Sequence, residues 1–289
     1  MTRLSRTMLK RKVKGISPVV GPTYARARAG VDPVLGPLIQ AVRHVRVRSE
    51  DSFIASYPRS GNTWLRFMLY EALTERTTEF QRVRRAMPHV NPYRRTEPLL
   101  RGGGRVYLTH EQYSRHYRNA KVVYLVRDVR DVVNSEYRRQ QMNESYASDF
   151  DHFVSDFLGG RVHRFGSWKD HVTGWCAIAP KHASVLVVRY EDLKHDPAAA
   201  LDDVLRFLGE PRSAAVIRRA VENNTLAAMR RKEDRARLPD ARTGFRFVNE
   251  GASGSWHVRM TPDALERIER AAGPVLTRLG YQLETVSHG

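Results

Sequence analysis

A chain of 289 residues, 41% hydrophobic and 28% charged, can bury a sizeable core in one large domain or two small ones and reads as soluble and globular. No run approaches the ~20 apolar residues that span a bilayer, and no charged-then-apolar start with a small-residue cleavage site marks a secretory signal. The lone cysteine, Cys176, excludes an internal disulfide and fits a reducing compartment, and the net charge of +18 asks for an anionic partner.

Half of that charge lies at the start. Residues 1–50 hold eleven Lys and Arg against Asp32 and Glu50, including Lys10-Arg-Lys-Val-Lys14. Pro18, Pro22, Pro33 and Pro37 interrupt the segment, which predicts an extended basic arm with one short helix near Leu35–Val47. Anionic lipid headgroups or an anionic acceptor would attract such an arm, while a solvated tail accounts for it equally well. It is also acid-poor and Arg-rich like an organelle transit peptide, though it has few serines. Zinc-finger spacing, heptads and an aromatic-basic RNA signature are all missing, so no nucleic-acid partner is expected. We take 1–50 as a basic N-terminal extension and 51–289 as the globular domain.

The domain opens on a strand, Ser52–Ser56, broken at Pro58 and passing through Ser60-Gly61 into a helix, Asn62–Glu75. A strand feeding a small-residue turn that opens a helix gathers backbone N–H groups and the positive helix end on one spot, an anion cradle. Arg59, Ser60 and Thr63 can add side-chain donors there. The Gly-Lys-Ser/Thr of nucleoside-triphosphate loops is absent, which argues against a magnesium-triphosphate site, and no metal is expected.

Residues 77–104, with Pro88, Pro92, Pro98 and Gly102-Gly-Gly104, read as loop-rich. A short strand follows at Arg105–Thr109, just before His110. Lys121–Val126 is a continuous apolar run, the signature of a strand covered on both faces. Asp128 can cap the helix that follows to about Gln141, on which Asp131 and Ser135 share a face. Helices are expected over Ser148–Leu158 and Gly166–Ile178, a buried strand over Ser184–Val188, and helices over Pro197–Leu208, Ser213–Glu222 and Pro262–Leu279. Cys176 beside Trp175 reads as a small buried apolar residue. This alternation predicts an α/β fold, a parallel sheet with helices on both faces. Ligands of such sheets sit at the strands' carboxyl ends, where the cradle, Thr109-His110, Arg127 and Tyr190 all fall.

Tyr57-Pro-Arg-Ser-Gly-Asn-Thr-Trp64 resembles the 5′-phosphosulfate loop of sulfotransferases that use 3′-phosphoadenosine 5′-phosphosulfate (PAPS), with Arg59 and Asn62 where Lys and Thr are commonest. Arg keeps the charge but cannot give up its proton as Lys can. Arg127 and Ser135 are similar in spacing to the family's 3′-phosphate pair, with Asp128-Val129 in place of Asn-Pro; a guanidinium fork and a hydroxyl suit a phosphate monoester. Thr109-His110 resembles the Lys-Thr-His segment whose histidine is the base, with Leu108 at the lysine; imidazole suits that task near neutral pH. Glu111 is the runner-up base. Val188-Arg-Tyr-Glu-Asp-Leu193 resembles the segment whose tyrosine meets adenine, and Trp64 the tryptophan that stacks on it. Thr225 lies in Asn224–Met229, which weakly resembles a nucleotide-binding segment. Asn249–Trp256 is similar to the C-terminal clamp through Gly251, Gly254 and Trp256, but Asn249-Glu250 replaces its Arg-Lys pair, a place that Arg246 or Arg242 could fill.

The resemblance runs from about residue 51 to 281. It implies a P-loop-like fold and sulfuryl transfer from PAPS to a hydroxyl or amine, with no metal. It implies that Arg59, Ser60, Gly61, Asn62, Thr63, Trp64, Arg127, Ser135, Tyr190, Thr225 and Gly251 bind the donor, while His110 and Arg59 act in catalysis. The acceptor is expected to be a small molecule, a glycan or a lipid, framed by residues 77–104, 141–180 and 230–248. Arg82, Arg84, Arg85, Arg94 and Arg95 suit an anionic sugar or lipid, and surface solvation explains them as well. A cytoplasmic location is expected, with peripheral attachment to an anionic membrane as the arm's alternative role. A small-molecule kinase, or a basic membrane- or nucleic-acid-binding protein on a dead scaffold, are the rival readings.

Overall fold

The computed structural model describes residues 32–91, 96–142, 145–236, 254–258 and 260–285. Four strands, β1 (Ser52–Ser56), β2 (Val106–Thr109), β3 (Lys121–Val126) and β4 (Val185–Arg189), form one parallel sheet in the order β2-β1-β3-β4. The register sets Ala55 beside Thr109, Ser56 beside Leu125 and Val126 beside Arg189, so all four chains leave the sheet along the same edge.

Strand alternation sorts the core into two layers. Phe53, Ala55, Tyr107, Val122, Tyr124 and Val126 pack on one face, against α4 (Val129–Met142), α5 (Phe150–Leu158), α6 (Trp168–Ile178) and α11 (Pro262–Arg278). Ile54, Val106, Leu108, Val123, Leu125 and Val188 pack on the other, against α2 (Asn62–Thr74), α3 (Phe80–Ala86), α8 (Pro197–Leu208), α9 (Ala214–Glu222) and α10 (Leu226–Ala236). Both faces are covered, as the unbroken apolar run at Lys121–Val126 requires. Helix α1 (Asp32–His44) precedes the sheet, and the short α7 (Tyr190–His195) follows β4 directly.

Caps fall where the sequence puts them. Asp128 accepts from the backbone of Arg130 at the start of α4, Ser213 caps α9, and Gly209 ends α8 at φ +84°. Two expectations need correction. Residues 80–86 are helical rather than loop: α3 is too short to stand alone, and Arg66, buried in α2, caps its end by donating to the carbonyls of Val83 (3.2 Å) and Met87 (2.5 Å). Residues 226–236 form α10, an element the sequence did not suggest, with Lys232 buried against α2. Tyr190 follows β4 directly, at the carboxyl end of the strand as expected, and opens α7. After α3, Pro88–Val90 runs beside β2, with Leu108 donating to Pro88 and Val90 to Leu108, which brings His89 beside the end of that strand.

Candidate functional site

The turn between β1 and α2 has an unusual backbone. Arg59 sits at φ +71° and Gly61 at φ +95°. A left-handed arginine costs about 1–3 kcal/mol and persists where surrounding structure holds it, commonly at functional sites. Here the hold is visible: Arg59 Nε donates to Ser135 Oγ (3.0 Å), and Arg127 Nη1 donates to the Arg59 carbonyl (3.4 Å). Ser60 Oγ, in the same turn, is fully buried and has no hydrogen-bond partner among the described residues.

Gly61 is required on two counts. Its φ disfavours any side chain, and a Cβ there would stand 2.4 Å from Tyr190 Cδ2. Gly61→Ala is therefore expected to cost about 1–3 kcal/mol of stability. Urea unfolding of this variant beside wild type checks it, and coincident midpoints would show that the tight approach of Tyr190 is not real.

The two anion motifs, far apart in sequence, form one cationic cluster. Arg127 ion-pairs with Asp131 one turn on (3.4 Å) and lies 4.4 Å over the Tyr190 ring. Beneath Ser135 the buried Glu136 is clasped by Arg139 (2.5 Å), with His163 at 3.5 Å. Burial alone would raise the Glu136 carboxyl, but His163, Arg139 and Arg59 outweigh it and hold it at about 2. Burial lowers Arg59 to about 10; neighbouring Arg139 and Arg127 push the same way and Glu136 opposes. The site thus concentrates guanidinium charge around one hydroxyl, with the buried carboxylates of Glu136 and Asp131 paired to those arginines. The sequence reading missed Glu136, Arg139 and His163. Glu136 follows Ser135 directly, but only the packing of α4 reveals that it is buried.

The aromatic side of the site is equally defined. Trp64 and Tyr190 meet edge to face at 6.3 Å, and the Trp64 indole donates to the Asn224 carbonyl (2.7 Å). Thr225 is exposed beside it, its hydroxyl accepting from Ala228 N (3.4 Å) at the start of α10. Thr63 is half-buried in the first turn of α2, and Asn62 Nδ2 donates to Ser56 Oγ (3.2 Å). Gly254 N donates to Asp131 Oδ2 (2.9 Å), and Arg130 lies over Trp256 (4.3 Å), so the end of the C-terminal segment reaches the Arg127 helix. Gly251, Asn249, Glu250, Arg242 and Arg246 lie outside the described residues.

His110 follows β2. Its Nδ1 donates to the Ser56 carbonyl (2.7 Å), which fixes the tautomer and leaves the Nε2 lone pair as the basic position. Burial drops the imidazole to about 4, so it is neutral at physiological pH. His171 Nε2 donates to the His110 carbonyl (3.0 Å) and accepts from Tyr124 at Nδ1 (3.0 Å), locking the backbone that carries the ring. His89 and Phe165 flank it, with ring centres 5.3 and 5.6 Å away. Glu111, the alternative base, is engaged by Arg43 and by Arg164 (3.3 Å), and Leu108 is buried in the core. No cluster of three or more His, Cys, Asp or Glu side chains suited to a metal occurs among the described residues.

Residues 49–280 match the family described as "Sulfotransferase domain". The chain is 29% identical to Sulfotransferase 2B1 of Homo sapiens over 249 residues, 78% of this chain and 66% of that protein. It is 29% identical to Sulfotransferase 1E1 of Mus musculus over 245 residues, 75% and 80% of the two chains. Among solved structures it resembles retinol dehydratase in complex with androsterone and inactive cofactor PAP, with TM-score 0.68, 19% identity, and coverage of 82% of this chain and 83% of that one. It also resembles mouse sulfotransferase SULT7A1 complexed with PAP, with TM-score 0.62, 23% identity, and coverage of 83% and 89%. At those identities the two structures establish the fold. The family match spans most of the chain and contains the whole strand-edge site: this protein belongs to the sulfotransferase family and is a PAPS-dependent sulfotransferase.

Proposed function

We propose that the chain transfers a sulfuryl group from PAPS to the hydroxyl of a small acceptor, with the residues of the strand edge in the following roles. The backbone turn at Arg59–Thr63, with Ser60 and Thr63 hydroxyls, holds the 5′ anionic end. Arg127 and Ser135 hold the 3′-phosphate, with Arg59 bridging the two ends through its bond to Ser135. Trp64 and Tyr190, with Gly61, Asn62 and Thr225 at the margins, shape the adenine slot, and Gly251 belongs to the C-terminal clamp. His110 takes the acceptor proton at Nε2. PAPS supplies the sulfuryl group; the protein's part is to fix both anionic ends, neutralise charge and place a base.

The observation that carries this reading is the meeting of Arg59, Ser135 and Arg127, joined by hydrogen bonds of 3.0 and 3.4 Å from the β1 turn, α4 and the end of β3. The buried, unpartnered Ser60 hydroxyl fits an anion in the same place. Calorimetry with 3′,5′-ADP tests it. Wild type is expected to bind it far more tightly than ATP–magnesium, and Arg127→Ala to lose about 10–100-fold, the range for a hydrogen bond to a charged group. Equal affinity in wild type and Arg127→Ala, or preference for ATP–magnesium, would overturn the assignment.

For the acceptor, the ring faces of His89 and Phe165 beside His110 favour a flat, largely apolar alcohol over a polyanionic sugar. The retinol dehydratase structure, which contains androsterone, supports the same class. A glycan or lipid acceptor, and attachment of the basic residues 1–50 to an anionic surface outside the domain at 51–289, are the finer alternatives. No helix among the described residues is long and apolar enough to cross a membrane.

A further inference from the structure

Helix α1 is built differently on its two sides. One side is anchored. His44 is buried between Phe53, His116 and Tyr117, with ring centres 5.8, 5.0 and 4.9 Å away, and Arg43 clasps Glu111, next to His110. The other side carries Leu38 and Val42, exposed to 60% and 51%, bordered by Ile39 at 36%; Val45, exposed to 74%, follows in the turn that ends the helix. The i, i+4 spacing puts Leu38 and Val42 on one face of the helix, and Ile39 beside them. Among the described residues only Leu226 and Leu283 are comparable exposed apolar side chains, and each is isolated. A contiguous exposed apolar stripe on a surface helix marks a contact surface.

The surroundings of the stripe are basic. Arg46 and Arg48 are exposed just after it. Residues 1–31, which lead into the helix, contain eight Lys and Arg and no Asp or Glu. An apolar helical stripe with a cationic rim is the pattern of a helix lying in the plane of a membrane interface. Each cation near an anionic leaflet adds attraction, and the apolar stripe adds insertion that charge alone does not give. A protein partner would have to be both acidic and apolar along a whole helix; an anionic bilayer meets both needs without further assumption.

We propose that the apolar face of α1 at Leu38 and Val42, with Val45 in the turn that follows, docks on an anionic lipid bilayer, with the exposed Arg46 and Arg48 engaging headgroups. The docked helix is fixed to the segment bearing His110 through Arg43–Glu111 and His44, so the catalytic edge is carried at the lipid surface. The inference does not depend on sulfuryl transfer, and its test uses no donor.

Sedimentation of the full chain with extruded vesicles tests it. Vesicles of phosphatidylcholine with one third phosphatidylglycerol are expected to bind the protein at least tenfold better than phosphatidylcholine alone. The triple variant Leu38→Asp, Val42→Asp, Val45→Asp, which keeps residues 1–31, is expected to lose at least tenfold on the anionic vesicles while retaining wild-type affinity for 3′,5′-ADP. If the triple variant sediments like wild type, the arm alone makes the contact and the proposal fails. It fails equally if wild type ignores both vesicles, or if it is a dimer that the triple variant converts to monomer without any vesicle binding.

Discussion

His110→Ala is expected to lower kcat by about 10²–10⁴-fold, the usual contribution of a positioned general base, while affinity for 3′,5′-ADP stays within about twofold. The geometry separates the two effects. His110 is anchored by its Nδ1–H to the Ser56 carbonyl and by its own carbonyl to His171, and no bond links it to Arg59, Arg127 or Ser135 among those described. The pH dependence adds a second readout. Burial lowers the imidazole to about 4, so the neutral, proton-accepting form predominates at every pH above that and is lost only as pH falls through it. The ratio of wild-type to His110→Ala kcat/KM for the donor, which reports the free enzyme, should therefore be the same at pH 8 and pH 6. An ordinary histidine near 6.5 would shrink that ratio severalfold over the same interval. Retained turnover in His110→Ala removes the histidine from the mechanism. Glu111 is then the group to test, although its carboxylate is already engaged by two guanidiniums.

Lys232→Met is expected to destabilise the protein by about 3–5 kcal/mol, because it strands the carboxylate of Glu71 in the core. Lys232 Nζ reaches Glu71 Oε1 (2.6 Å) and Asn224 Oδ1 (2.7 Å), and both charged side chains are almost wholly buried. Glu71 also accepts from Thr78 N and from Asn223 Nδ2, both at 3.0 Å. This network fixes the turn at Asn223-Asn224, whose carbonyl holds the Trp64 indole. Loss of the lysine should therefore shift Trp64 fluorescence and weaken 3′,5′-ADP binding through the Asn224 turn. Glu71→Gln combined with Lys232→Met should recover part of the stability, since it removes the unpaired charge. Urea unfolding of the three variants decides the matter: single-variant losses under about 1 kcal/mol would show that the pair is not buried as described.

The legibility of this protein in its sequence followed the physics of each element. The continuous apolar run at Lys121–Val126 can be little but a strand covered on both faces, and it is. Pro197–Leu208 carries its own start and stop signals and occupies those residues. Helix α3 was not legible because its seven residues are held by Arg66 from another helix. Helix α10 was missed because its polar face hides Lys232 turned inward toward Glu71, a pairing that hydropathy reads as exposure.

The site divides in the same way. Tyr57–Trp64, Arg127, Ser135, His110 and Tyr190 could each be picked out as candidates, because a phosphate cradle is written in contiguous residue types: a turn-forming glycine, hydroxyls, and a cation next to a helix start. Sequence order also placed them at strand ends, since parallel strands leave a sheet on one edge. What only the tertiary structure decided was how they share charge: Arg59 on Ser135, Arg127 on the Arg59 carbonyl, Glu136 held beneath, and Trp64 oriented by Asn224. Local chain geometry is set by neighbours in sequence, and the residues themselves fix it. Burial and electrostatic partnership arise between segments many tens of residues apart, and they exist only once the sheet has brought those segments together.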